Sequence, residues 1–301
     1  MPPVYHPGER SVQERAGVRE MADRIGRSIG TTIPPPARNF LRSQPLVVVG
    51  SVDREGRVWA SLLTGAPGLV QVVDENTVRI NARPATGDPL GDNLAANDAV
   101  GLIAIEFATR RRMRLNGKAE VREDGAITIH AQQVYSNCQK YIQARRWRGR
   151  SPETDSSPAV RRQSILAQDQ QRWIREADTF FIASHQPEGG TDASHRGGLP
   201  GFVRVLNDHR LVWPDYAGNT MFQTLGNISV NPQAGLLFID FVRGRTSQLT
   251  GTARILWDRE HIAEFAGAER LVEFDVDEVV EITGAHWLEW RFLNYSPENP
   301  A

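Results

Sequence analysis

The sequence predicts a mainly β protein of the α+β class: two tandem copies of one small antiparallel β-barrel, with helices on the flanks. Three observations predict it. First, the chain repeats itself. Ala60, Ser61, Gly65, Pro67, Gly68, Val70 and Val72 recur about 133 residues later as Ala193, Ser194, Gly198, Pro200, Gly201, Val203 and Val205. After one inserted residue, Asn97, Gly101, Leu102, Ile105, Phe107, Arg111, Leu115, Gly117 and Ala119 recur as Asn231, Gly235, Leu236, Ile239, Phe241, Arg245, Leu249, Gly251 and Ala253. One register held through strand, loop and strand marks a duplicated domain rather than a solenoid. Second, each copy reads as short β-branched runs joined by tight turns, the pattern of a small antiparallel barrel. Third, 301 residues suit two domains, and 40% apolar residues suffice for ordinary cores.

Residues 1–43 are expected to form an N-terminal helical segment. Ser11-Val12-Gln13-Glu14 has the form of a capping box. Val12, Val18, Met21, Ala22, Ile25 and Ile29 fall at helical spacing, which predicts a helix over 12–29. Three consecutive prolines make 31–37 a connector, and a helical turn is expected over 39–43. The first barrel takes 44–143, with six strands at 46–52, 58–63, 70–73, 78–81, 99–107 and 112–121, and a short helix running toward Asn97. Residues 144–176 read as linker and helix: an Arg-, Ser- and Pro-rich connection over 145–158, then a helix over 159–176. The second barrel and its tail take 177–301. Strands are expected at 179–184, 234–241 and 246–256, a hairpin over 202–213, a helix ending near Asn231-Pro232, another over 260–270, and a strand over 271–282. An aromatic tail follows, with Trp287, Trp290, Phe292 and Tyr295.

Composition removes several classes of function. The formal net charge is −1, so nothing global draws the chain to nucleic acid or to anionic lipid. The single cysteine, Cys138, rules out an intrachain disulfide and a Cys-rich zinc site. His185, His195 and His209 lack zinc-ligand spacing with acidic partners. No apolar run approaches the roughly 18 residues that span a bilayer. The N-terminus has no signal-peptide core, so the expectation is a soluble cytoplasmic protein. There is no dinucleotide-binding glycine fingerprint and no Walker loop. Ser194 and His195, being adjacent, do not make a serine–histidine pair by adjacency alone.

The informative stretch is 193–232. It packs Ser194, His195, Arg196, Gly197 and Gly198 together, then runs through a hairpin and a loop with Asp215, Gly218, Asn219 and Thr220 into a helix. Small residues, an arginine and a helix N-terminus in close succession suit a phosphate group. The motif set is Ser194-His195-Arg196-Gly197-Gly198-x-Pro200-Gly201-Phe202, Trp213-Pro214-Asp215-Tyr216-x-Gly218-Asn219, Thr224-Leu225-Gly226-Asn227, Asn231-Pro232 and, at the end of the first copy, Asn137-Cys138-x-Lys140-Tyr141-Ile142. Together these resemble the FMN-binding split barrel of the pyridoxamine 5′-phosphate oxidase-like superfamily. The resemblance is closer still to its two-copy, flavin-nucleotide-binding members, and it covers nearly all of the chain beyond residue 40.

That resemblance implies an FMN-binding oxidoreductase acting on a small-molecule substrate or electron donor or acceptor, with FMN between barrels and a homodimer as the usual assembly. It leaves open whether the flavin lies between the two copies of one chain or between two chains. Alternatives are a non-catalytic flavin- or haem-binding carrier or sensor, a barrel kept for protein contacts, and a deazaflavin in place of FMN. The cofactor-binding candidates are Ser194, His195, Arg196, Gly197, Asn219, Thr220, Thr224, Asn227, Gln248, Lys140 and Tyr141. Arg196 is the expected phosphate arginine, since a guanidinium bonds two oxygens at once. His195 is the one candidate proton donor; as strand neighbours, Ser194 and His195 should point to opposite faces. Phe222, Gln223 and Thr224 stand where the family carries a Ser-Arg-Lys pattern, a departure that bears on pyridoxamine phosphate as substrate. Asp88 in the first-copy loop would repel phosphate, which favours the second copy as the flavin site. Cys138 beside Lys140, a neighbour able to lower a thiol pKa, is read first as an inert thiol, and the Arg110–Arg114 run, which also suits an acidic or phosphorylated ligand, is read first as a solvated strand edge that blocks aggregation.

Overall fold

The computed structural model describes residues 4–150, 158–286 and 288–300. The N-terminal segment is two helices, α1 (Pro7–Arg15) and α2 (Arg19–Gly26), not one over 12–29. Gly17 breaks them by turning left-handed, with φ of 70°. The cap also lies earlier than Ser11. The His6 ring nitrogen accepts from the Gly8 N–H at 3.1 Å, and Glu9 accepts from the His6 N–H at 2.8 Å. Helix α3 (Pro35–Ser43) is capped by the first of the three prolines and starts on the second, which a first helical turn tolerates, so the connector is shorter than expected.

The first barrel holds β1 (Leu46–Val52), β2 (Val58–Thr64), β3 (Val70–Val72), β4 (Thr77–Ile80), α4 (Leu90–Ala96), β5 (Ala99–Glu106), β6 (Arg111–Val121) and β7 (Ile127–Ser136). Strand β7 is a seventh strand that the sequence reading passes over. Between the barrels the chain is not a plain linker. It forms β8 (Ala144–Arg150), then β9 (Ala159–Gln163) and α5 (Gln168–Glu176), so the stretch expected as a helix over 159–176 opens as a strand and is helical only from Gln168. Part of the expected connection, 151–157, lies outside the described residues, as does Trp287.

The second barrel holds β10 (Thr179–Gln186), β11 (Gly190–Gly197), β12 (Arg204–Val205), β13 (Arg210–Tyr216), α6 (Gln223–Val230), β14 (Gln233–Ile239), β15 (Thr246–Leu256), α7 (Arg259–Ala263) and β16 (Ala268–Thr283). The tail forms β17 (Leu288–Asn294), which pairs with β8 as a two-stranded ribbon. The sheets run β2-β1-β5-β6-β7-β4-β3 and β11-β10-β14-β15-β16-β13-β12. The order is the same in each, with the strands in corresponding places. Even the β-bulge recurs, between Asn116 and Gly117 and between Thr250 and Gly251.

The barrels pack face to face through β1, β2 and β5 on one side and β10, β11 and β14 on the other. This explains why 46–52 reads as an unbroken apolar run. Val47 and Val49 point into the first barrel's core with Leu102 and Leu115, while Val48 faces the other barrel with Phe181, Ala183 and Leu237. The approach is close enough to require glycine twice. A Cβ on Gly101 would lie 2.5 Å from Asp192 Cα, and one on Gly235 would lie 2.5 Å from Val58 O. These two contacts are mates under a pseudo-twofold axis relating the copies.

Candidate functional site

A cleft opens where the first barrel's β6 and the segment after β7 meet the second barrel's β11 and the loop leading into α6. Both walls come from one chain. The cleft is lined by Arg112, Arg114, Asn137, Cys138, Lys140 and Tyr141 from the first copy. From the second copy come Ser194, His195, Arg196 and Gly197, and the turn from Asp215 through Thr224.

The arginine run is not a solvated edge. Strand alternation divides it. Arg111 is exposed and pairs with Glu106 at 2.6 Å, and Arg110 donates to Ile142 O at 2.9 Å. Arg112 and Arg114 turn inward. Arg114 is buried and paired with Asp192, which also accepts from Tyr135 Oη and Thr224 Oγ1, each at 3.1 Å. Among the described residues the hydrogen-bond partners of Arg112 are His195 Nδ1, at 3.3 Å, and Cys138 Sγ, at 3.8 Å. Burial, with crowding by Arg114 and Arg196, brings its pKa down to about 10, still charged at neutral pH. Arg196 donates to Ser194 Oγ at 2.7 Å and to its own strand's carbonyl at His195, 3.1 Å away. Among the described residues neither Arg112 nor Arg196 has a carboxylate in salt-bridge contact.

Ser194 and Arg196 share a face of β11, while His195 turns against the rings of Phe107 and Phe181. Burial first, then Arg112, Arg196 and Arg145, hold the imidazole well below its ordinary pKa, so it is neutral. An Arg N–H pointing at Nδ1 puts the ring proton on Nε2, which has no partner. His195 is therefore not a charged acid at neutral pH. Its capacity is one neutral N–H.

The rim is held under strain. Thr220, Phe222 and Tyr141 adopt left-handed backbone, with φ of 60°, 60° and 64°, and they are three of the four non-glycine residues that do so among the described ones. Such conformations cost about 1–3 kcal/mol each and gather where a site over-determines them. Tyr141 reaches across the cleft: its hydroxyl donates to Ala217 O at 2.9 Å and its ring packs on Tyr216 at 5.0 Å. Lys140 sits on the rim, 3.6 Å from Glu298. Arg112 Nε, Asn137 Oδ1 and Thr220 Oγ1 are buried polar atoms without partners, all lining this cleft.

Nine of the eleven predicted cofactor residues line this one cleft: Ser194, His195, Arg196, Gly197, Asn219, Thr220, Thr224, Lys140 and Tyr141. Two do not. Asn227 donates to Ser184 Oγ at 3.0 Å and accepts at 2.9 Å from the His6 ring, tying α6 to β10 and α1. Gln248 lies in the pseudo-symmetric position across the interface, where its amide donates to Asp88. The cofactor-binding candidates leave out Arg112 and Arg114, placed with the solvated edge, Asn137, present only as a motif residue, and Asp192. For the two arginines the signal was present, since a strand over 112–121 puts them on one face.

Fold and cleft define a class: a duplicated split β-barrel with a cationic cleft between its copies. The pyridoxamine 5′-phosphate oxidase family model matches the chain twice, over residues 33–154 and 166–291. The chain therefore belongs to the pyridoxamine 5′-phosphate oxidase family. Similar solved structures include HupZ of Group A Streptococcus, with TM-score 0.32 and 14% identity over 37% of this chain and 90% of that one. An FMN-binding protein from Syntrophomonas wolfei gives 0.29 and 8%, over 38% and 84%. An FAD-binding protein from Mycobacterium smegmatis gives 0.28 and 13%, over 40% and 98%. No curated protein matches the sequence.

Proposed function

We propose that the cleft binds FMN and that the protein is an FMN-dependent oxidoreductase acting on a small-molecule electron donor or acceptor. One observation carries the reading. Arg112 and Arg196 face the same cleft with no carboxylate in salt-bridge contact among the described residues; Asp215, on the cleft wall, acts on Arg196 only from beyond that distance. Charged groups left in such a place call for an anionic ligand. The unpartnered Arg112 Nε and Thr220 Oγ1 supply further donors of the kind a phosphate accepts from. Arg112, Arg196 and Thr220 would hold the phosphate, and Tyr141 would cover the bound ligand from the rim.

Bound FMN would supply the hydride or electron transfer. The chain's own contribution is binding, orientation and shielding. His195, being neutral, offers a hydrogen bond from Nε2 rather than a proton, and this same fact favours a second reading, a flavin carrier without turnover. Steady turnover with a reduced nicotinamide would separate the two. A homodimer, the assembly the resemblance implies, is not needed to build this cleft, since both walls come from one chain.

The test is the visible spectrum of the purified protein incubated with FMN, with mass spectrometry of the ligand released on denaturation. Flavin bands and an FMN mass are expected. A chain that stays colourless would sink the reading, and a Soret band would move it to haem.

A further inference from the structure

We infer that each chain carries one ligand site and one plugged counterpart of it, so that the duplicated protein binds a single ligand asymmetrically. The inference rests on the flavin reading for its probe and on the pseudo-twofold axis for its geometry.

The strand registers fix the correspondence. Ile105 faces Arg112, and Ile103 faces Arg114, as Ile239 faces Thr246 and Leu237 faces Gln248. Val47 faces Leu63 as Phe180 faces Arg196. The three guanidiniums of the open cleft thus have Thr246, Gln248 and Leu63 as counterparts. Ser194 alone keeps its identity, as Ser61.

The second position also holds an anion of its own. Asp88 Oδ1 accepts from Ser61 Oγ at 2.7 Å and from the Leu90 N–H, at the start of α4, at 2.9 Å. Asp88 Oδ2 accepts from Gln248 Nε2 at 3.0 Å. The same amide lies 3.0 Å from Ala60 O and from Ser61 Oγ. The carboxylate is thus bonded by a serine, a β15 side chain and a helix N-terminal N–H. These are counterparts of Ser194, Arg114 and the start of α6. Trp59, counterpart of Asp192, is buried beside Val280 and Ile282 and fills the space further. Strand β9 then lies across the outside, where Arg162 donates to Gly87 O at 3.0 Å.

The backbone makes the same distinction. The chain enters α6 through left-handed Thr220 and Phe222, but enters α4 through Pro89 with φ of −69°. Of the two helix entrances, the open side alone keeps left-handed non-glycine residues among the described ones. A flavin phosphate approaching the plugged side would meet a carboxylate already held by its own partners, a tryptophan, and none of the three guanidiniums of the open cleft.

The experiment is a titration of the ligand-stripped full chain with FMN, read by flavin fluorescence and by native mass spectrometry. One FMN per chain is expected. Arg112→Ala should weaken binding more than tenfold and leave no second site. Gln248→Ala should bind within twofold of the parent. Two FMN per chain, a residual full-affinity site in Arg112→Ala, or a tenfold loss in a folded Gln248→Ala would overturn the inference while leaving the flavin reading standing. No FMN bound by a folded parent chain would remove both.

Discussion

Arg112 and Arg196 hold their charge in a partly enclosed cleft, and that is the residue-scale fact on which the function turns. Removing either should cost one charge-assisted contact or two, about 1.5–3 kcal/mol for each lost bond, which is roughly ten- to a hundred-fold in flavin affinity. Equilibrium titration of Arg112→Ala and Arg196→Ala checks it, and unchanged affinity would take that arginine out of the site. Buried titratable groups make a separate prediction. Burial holds His286 down to about 4, against about 6.5 in an unfolded chain. Below pH 6.5 the unfolded state binds the extra proton, so stability falls as pH drops from 6.5 toward 4, by about 3 kcal/mol from this group. His195, also lowered, acts in the same direction. Denaturant midpoints across this range should show the decline, and His286→Gln should flatten it. Glu9 works in the opposite sense: burial raises it to about 8. Its unfolded form ionises from about 4.5 upward while the folded form stays protonated, so stability is lost as pH rises toward 8. Glu9→Gln should therefore gain stability relative to the parent at pH 8 and not at pH 4. The side chains of 194–197 were legible because an ordered motif carries them. Arg112 and Arg114 were not, because alternation tells which residues share a face but not which face meets the other barrel.

Elements divide the same way. Strand β1 was legible because it is buried on both sides and reads as one apolar run. Strand β7 carried its own signal, since Ile127, Ile129 and Ala131 alternate with Thr128 and His130 as a half-buried strand requires; the alternation breaks at Gln132-Gln133, opposite the bulge, which left too short a regular run to stand out. The β8–β17 ribbon was missed for a stronger reason. Arg145 of β8 is buried, bonded to both carboxylate oxygens of Asp178 at 2.6 and 2.7 Å, with its guanidinium 4.3 Å from the Phe241 ring centre. A linker-like stretch becomes a strand only because distant partners satisfy its charge. The close-packed strand pairs yield a prediction of their own. Gly101→Ala puts a methyl against the backbone of β11 and should destabilise by about 1–3 kcal/mol. Gly91→Ala, on the exposed side of α4 with nothing within 4 Å, should be neutral or stabilising by up to about 1 kcal/mol. Thermal melts of the two variants measure the contrast directly.

At the scale of the whole molecule, the repeat was legible in its register; the strand order and the bulge, which recur in both copies, come from the structure. What the sequence leaves undecided is whether the two copies meet each other or a second chain, since both arrangements bury the same apolar faces. The answer lies in contacts such as Gly101 against Asp192, which join residues of one polypeptide. Because both walls of the cleft are covalently connected, flavin affinity should not change when the protein is diluted across the range where a dimer would dissociate. Titrations at nanomolar and micromolar chain concentration check this, and a loss of affinity on dilution would show that a second chain is needed.

The pseudo-twofold axis also sets a rule of inheritance. When identical chains pair, any change in the gene is written into both halves of the assembly at once, so neither half can depart from the other. Joined end to end, the halves answer to separate codons. Each half can then differ from its twin position by position, so that of the two clefts the halves build together one carries Arg112, Arg114 and Arg196 and the other Thr246, Gln248 and Leu63.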